Sequence, residues 1–258
     1  IAIYTGIAYT LYLDMVVPLF VCLIYMRLDL RHTLLSSITS LLIVTFAIGD
    51  VASAIWMSQG ILMGLICGYF IRKKETIFDD LFYSAILGTF IMVLIDIYFS
   101  KLTGYSFMKE FDSYRDLFPL GSEYMAMAFN IFVAMMPMST ILIVYVGALL
   151  IGKKLMILNE NCTRYGSYIC CSKKTYYFGI IYLILTELIN LTGFEFKFVY
   201  FKTVIMAIRV IVIYFVLKDS FTFVLRGIFS KIKSNGMAQL IWLGALYMLL
   251  IDFKSTFI

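Results

Sequence analysis

The sequence predicts an all-α protein: a polytopic transmembrane helix bundle of about eight spans plus one short interfacial helix. Three observations carry that reading. The 258 residues are 62% hydrophobic, with a mean hydropathy of +0.95, whereas a soluble domain is nearer ~45–50% apolar. The apolar residues come in long runs, and a helix needs only about 20 such residues to cross a bilayer. Cations collect at the ends of those runs. In GILMGLICGYFIRKK, Arg72, Lys73 and Lys74 close an apolar stretch that begins at Gly60. One integral membrane domain, 1–258, accommodates the whole chain.

The elements follow in order. Residues 1–26 are apolar but interrupted by Asp14 and Pro18, so they read as two pieces with a break near Asp14. The chain opens at Ile1 inside this run and without a methionine, which reads as a truncated N-terminus. Residues 27–32 form a charged connector. Residues 33–48 make a span that opens with serine and threonine hydroxyls. Gly49 and Asp50 turn the chain, and 51–71 returns to the basic stop. On this last helix Gly60, Gly64 and Gly68 recur every four residues, so they share one face and allow a neighbouring backbone to approach closely.

Residues 77–99 form the next span, opening with Asp79 and Asp80. In 100–121, aromatic residues alternate with charges at helical spacing, which predicts a surface-lying helix over 107–118. The long run 122–152 holds Pro137 and reads either as one kinked helix or as two halves. A basic loop, 153–175, follows. Spans at 176–192 and 199–217, an amphipathic piece at 220–233 and a last span at 237–251 complete the chain.

Charge orients the bundle. If the Arg72–Lys74 end faces the cytoplasm, alternation places loops 27–32, 72–76, 153–175 and 218–236 there too. Fourteen of the 21 Lys and Arg fall in these regions, five on the opposite side and two, Lys202 and Arg209, inside a span. That asymmetry is the positive-inside pattern of a multi-pass cell-membrane protein. The net charge of +5 is therefore an orientation signal, and no nucleic-acid partner is expected.

Charge at bilayer depth is costly and asks for a partner, a ligand or a water-filled cavity. On this topology Asp14, Gln59, Asp96, Glu187, Asn190 and Arg209 lie in the outer half or the middle of the bundle. They form the candidate ligand-binding set. Glu187 and Arg209 sit on consecutive antiparallel spans and could also be a structural ion pair. Other chemistry lacks support. The five cysteines form no disulfide framework, and His32 is the one histidine, so neither metal nor cofactor is expected. No HExxH, GxSxG or P-loop motif occurs, so an enzyme is not expected.

The order of features resembles that of the YybS-like predicted membrane proteins of Gram-positive bacteria. The residues that carry the likeness are Pro18 and the Tyr25-Met26-Arg27 end of the early segment, GILMGLICGYFIRKK, the Met136-Pro137 pair, and the terminal Ile251–Ser255, IDFKS. That family is similar in turn to the substrate-binding S components of energy-coupling-factor (ECF) transporters. The resemblance implies an outward-opening solute pocket, a coupling membrane subunit and partner ATPases. It carries over no site residue, and this chain has C-terminal spans that S components do not need. The expected function is capture of a small solute from the outer side and assistance in its transport. The alternative is a membrane scaffold or regulatory subunit bound to another membrane protein.

The topology has a direct check. Single cysteines at Lys74 and Lys109, in a background without native cysteines, are expected to label from opposite sides of intact cells with a membrane-impermeant maleimide. Outside labelling at Lys74 would reverse every assignment of side.

Overall fold

The computed structural model describes residues 15–49, 51–73, 76–104, 122–157, 170–192 and 200–229. All regular structure among the described residues is helical. The seven α-helices are α1 (Val17–Arg27), α2 (Leu30–Ile43), α3 (Val51–Lys73), α4 (Ile77–Thr103), α5 (Ser122–Lys154), α6 (Lys173–Leu191) and α7 (Phe201–Phe229). A π-helical turn, Val44–Ile48, extends α2 to Gly49, whose φ of 72° ends it in a conformation that glycine adopts without strain.

The helix boundaries have local causes. Pro18 sits in the first turn of α1, where its missing N–H costs nothing. The Thr76 hydroxyl accepts a hydrogen bond from the Asp79 N–H at 3.4 Å and caps α4. Ser172 does the same for Thr175 at the start of α6. Gly104, at φ 73°, closes α4. Pro137 lies inside α5 without dividing it, so the run at 122–152 is one helix and not two halves.

Among the described residues three helices are long and apolar enough to cross a membrane: Ala54–Lys73, Ile77–Lys101 and Met127–Lys154. This is fewer than the eight spans read from the sequence. Helices α1 and α2 are apolar but short. Helix α6 carries Glu187 and Asn190, and α7 carries Lys202 and Arg209, which lower their apolar character. The expected helix at 107–118 and last span at 237–251 lie outside the described residues. Helix α7 runs unbroken through Lys218 to Phe229, so the described part of the amphipathic piece expected at 220–233 is helix continuous with the segment before it. No glycine or proline interrupts the sequence before Gly227, and nothing local stops the helix at residue 217. The chain divides into two compact units, 1–215 and 216–258, within this helix. In the second unit Lys218 Nζ lies 2.9 Å from Asp219 Oδ1.

The closest helix contact is between α1 and α3. A Cβ added at Gly64 would run into the Pro18 carbonyl oxygen and come within 2.9 Å of Val21 Cβ. One added at Gly68 would meet the Tyr25 ring at 2.8 Å. Gly60 is buried on the same helix. Because Gly64 meets Pro18 and Val21 while Gly68 meets Tyr25, the two helices run parallel and both end at the basic side. Val17, Val21 and Ile61 form the apolar cluster beside this seam. A further close approach, which the sequence reading did not single out, joins α4 to α3 and α5. A Cβ at Gly88 would come within 2.6 Å of Ile141 Cδ1 and 3.0 Å of Met63 Sδ.

Gly64→Leu forces a branched side chain into backbone and is expected to cost at least ~1–3 kcal/mol. Its melting temperature in detergent should fall clearly, while Leu62→Ala, on an exposed position of the same helix, changes little. Equal melting of the two variants would contradict the α1–α3 seam.

Candidate functional site

Two carboxylates adjacent in sequence tie three helices together at the basic end of the bundle. Asp79 and Asp80, in the first turn of α4, are 4% and 1% exposed. Asp79 Oδ1 accepts the Ser172 backbone N–H at 2.8 Å, which fixes the start of α6. The Tyr145 hydroxyl donates to Asp80 Oδ2 at 2.5 Å, which fixes the last third of α5. The Tyr83 hydroxyl lies 3.3 Å from Thr175 Oγ1, and that atom lies 3.1 Å from Ser172 Oγ. Phe82 reaches across to Phe178 on α6 and Phe215 on α7 in edge contacts. The helix N-terminus also favours the carboxylates, because the peptide dipoles leave partial positive charge there.

These bonds set the levels of the bundle. The start of α4, the end of α5 and the start of α6 lie at one end. Arg72, at the end of α3, reaches Asp29 between α1 and α2 at 3.4 Å. The described parts of four cation-rich regions around Arg27–Arg31, Arg72–Lys73, Lys153–Lys154 and Lys173–Lys174 therefore converge on one surface. The Arg72–Asp29 pair is exposed on both sides and adds little stability of its own.

The sequence-derived set can be placed by counting up from that surface at ~1.5 Å per residue. Asp96 stands about 25 Å above Asp79, Glu187 about 22 Å above Ser172, and Gln59 about 20 Å above Arg72. All lie beyond the middle of a hydrocarbon core of ~30 Å. Gln59 and Asp96 share a level on the neighbouring helices α3 and α4. One turn beyond each, Trp56 and Phe99 meet edge to face with centroids 5.8 Å apart.

Arg209 Nη2 donates to Glu187 Oε2 at 2.6 Å, with side chains 29% and 55% exposed. The hairpin between α6 and α7 is antiparallel, so the Arg209 backbone lies deeper than Glu187 and its side chain extends outward to reach it. Tyr182 reaches outward in the same seam and donates to the Ile205 carbonyl at 3.1 Å. Asn190 is exposed, one turn from Glu187. Neither Gln59 nor Asn190 makes a side-chain hydrogen bond among the described residues. Asp14 lies outside the described residues. The structure thus pairs Glu187 with Arg209, and the helical rise puts Gln59 and Asp96 at about the level of Glu187. Among the described residues no group of three His, Cys, Asp or Glu converges as a metal site would require.

A family model described as a predicted membrane protein, DUF2232, matches residues 1–116. No curated protein and no solved structure matches the chain. The matched stretch takes in α1 to α4, with the glycine seam and both buried carboxylates. Tyr145, Glu187 and Arg209 lie beyond it. The chain is accordingly similar to predicted membrane proteins over its first part, in accord with its long apolar helices.

Sequence reading missed Asp79, Asp80 and Tyr145 as a constellation, because carboxylates at a span end look like ordinary interfacial residues. The available signal was Thr76 three residues before Asp79, a helix-start pattern that puts both acids inside the helix. Tyr145→Phe is expected to lower stability by about 1–3 kcal/mol, because it leaves a buried carboxylate without that donor. Asp80→Asn combined with Tyr145→Phe should cost less than the sum of the single changes. Additive losses in denaturant or thermal melts would show that the two side chains do not act together.

Proposed function

We propose that this is a multi-pass protein of the cell membrane that binds a small solute from the outer side and assists its transport, in the manner of the S components it resembles. In this reading the remaining apolar segments complete about eight spans, and the basic surface is cytoplasmic. A coupling membrane subunit with ATPases is the expected partner, and no catalytic step is needed. The observation that carries the reading is the common level of Gln59, Asp96 and Glu187, with Arg209 reaching Glu187 from a deeper position. Polar groups are expensive at that depth, and they occur on three helices about 20–25 Å from the basic surface, one of them paired with Arg209 of a fourth. The basic end, by contrast, is closed by the Asp79 and Asp80 bonds. A bundle tied at one end and polar toward the other suits capture from the polar side.

A second reading, a scaffold or regulator of a membrane complex, draws on α2. Thr33 and Ser37 are its buried residues, while Leu34, Leu35, Ile38, Leu42 and Ile43 are exposed, a broad apolar surface open to lipid or to another membrane protein.

Native mass spectrometry of gently purified protein, together with thermal melting, separates the two. The solute reading expects Glu187→Gln, Arg209→Gln and the double variant to keep the fold but lose a co-purified small molecule. A purely structural ion pair expects each single variant to melt lower and the double variant to recover part of the loss. Negligible, additive effects on both readouts would remove the outer site.

A further inference from the structure

We propose that the basic end of the bundle binds the headgroups of anionic phospholipids in the leaflet it faces. Six cations on four helices form the site: Arg27 and Arg31 beside the α1–α2 connector, Arg72 and Lys73 at the end of α3, and Lys173 and Lys174 at the start of α6. A chain of contacts sets them along one line. Arg72 donates to the Leu28 carbonyl and to Asp29 Oδ1, both at 3.4 Å, which fixes the end of α3 beside the connector. Phe70, two residues before Arg72, stacks on Tyr83 of α4 with centroids 6.3 Å apart. The Tyr83 hydroxyl in turn meets Thr175 Oγ1 at 3.3 Å, one residue after Lys174.

The charge along this line is one-sided. All six residues are exposed. Asp29 is the one exposed acid at this end among the described residues, because Asp79 and Asp80 are buried and accept bonds from neighbouring elements. Clusters of about four to eight Lys and Arg beside membrane helices attract anionic headgroups, and the planar guanidinium fork suits phosphate oxygens.

The groups beneath the cations select an amphiphile. Tyr69, one turn inward from Arg72, and Tyr177, one turn inward from Lys174, are both exposed. Exposed tyrosines at such positions mark the headgroup level. Farther inward the exposed side chains are apolar, as with Leu34 and Leu35 on α2 and Phe178 and Ile181 on α6. A phospholipid meets both requirements, with its phosphate among the cations and its acyl chains along the apolar faces. A free anion would use the cations alone, and an acidic protein would leave the apolar faces uncovered. The inference needs a membrane protein but no solute, so it stands apart from the transport reading.

The test is native mass spectrometry of the full chain in detergent with equal amounts of phosphatidylglycerol and phosphatidylcholine, alongside melting in nanodiscs with and without phosphatidylglycerol. The expected result is retention of phosphatidylglycerol over phosphatidylcholine. Discs that contain it should raise the melting temperature, by a margin that shrinks as salt is added. The double variants Arg27→Gln/Arg31→Gln and Lys173→Gln/Lys174→Gln keep their melting temperature in phosphatidylcholine. Each weakens phosphatidylglycerol binding by about fivefold for every cation removed. Lys101→Gln, at the opposite end of α4, leaves binding unchanged. Equal retention of the two lipids overturns the site, as does a preference that survives both double changes or falls equally in Lys101→Gln. Co-purification of an acidic protein whose release uncovers no lipid preference also overturns it and gives the surface to a protein.

Discussion

The arrangement depends on two neighbouring carboxylates that are buried at the basic end of α4. A carboxylate withdrawn from water has to be repaid by hydrogen bonds. Asp79 and Asp80 find theirs on different elements, a backbone N–H at the start of α6 and a phenol on α5. Consecutive residues on a helix point about 100° apart, so a pair of adjacent acids can hold two neighbours at once. The levels of α4, α5 and α6 follow from those two bonds. So does the convergence of the basic segments on one surface.

The second constraint is the approach of α1 to α3. Lipid offers no hydrophobic drive for helices to associate, so contact must come from packing and close backbone approach. Gly64 and Gly68 provide it by leaving room for the Pro18 carbonyl and the Tyr25 ring. Parallel packing of α1 on α3 requires the chain to return between them, and α2 makes that return. Its thin inner face of Thr33 and Ser37, and its broad exposed apolar face, show that it lies at the margin of the described bundle.

The two ends of the bundle differ in chemistry. At the basic end, polar groups are buried and bonded to one another. Toward the other end, Gln59, Asp96 and Glu187 are partly or largely exposed at about one level, and Arg209 is partly exposed below them. Arg209 reaches Glu187 only by extending outward along the helix seam. This asymmetry gives the solute-binding reading its physical basis.

Much of this was legible in the sequence. Apolar runs closed by cations fixed an all-helical membrane protein and its basic end, because hydrocarbon length and charge cost act on single segments. The Gly60-Gly64-Gly68 spacing marked a packing face, and the opposite charges of Glu187 and Arg209 on consecutive helices marked a possible pair. Tertiary structure decided what depends on neighbours distant in sequence. It made α1 the partner of the glycine face, kept α5 whole through Pro137, and carried α7 past Lys218. It also turned Asp79 and Asp80 from span-end charges into buried ties. Period and composition describe one helix at a time, whereas a carboxylate's partner 65 or 93 residues away is set only when the helices pack.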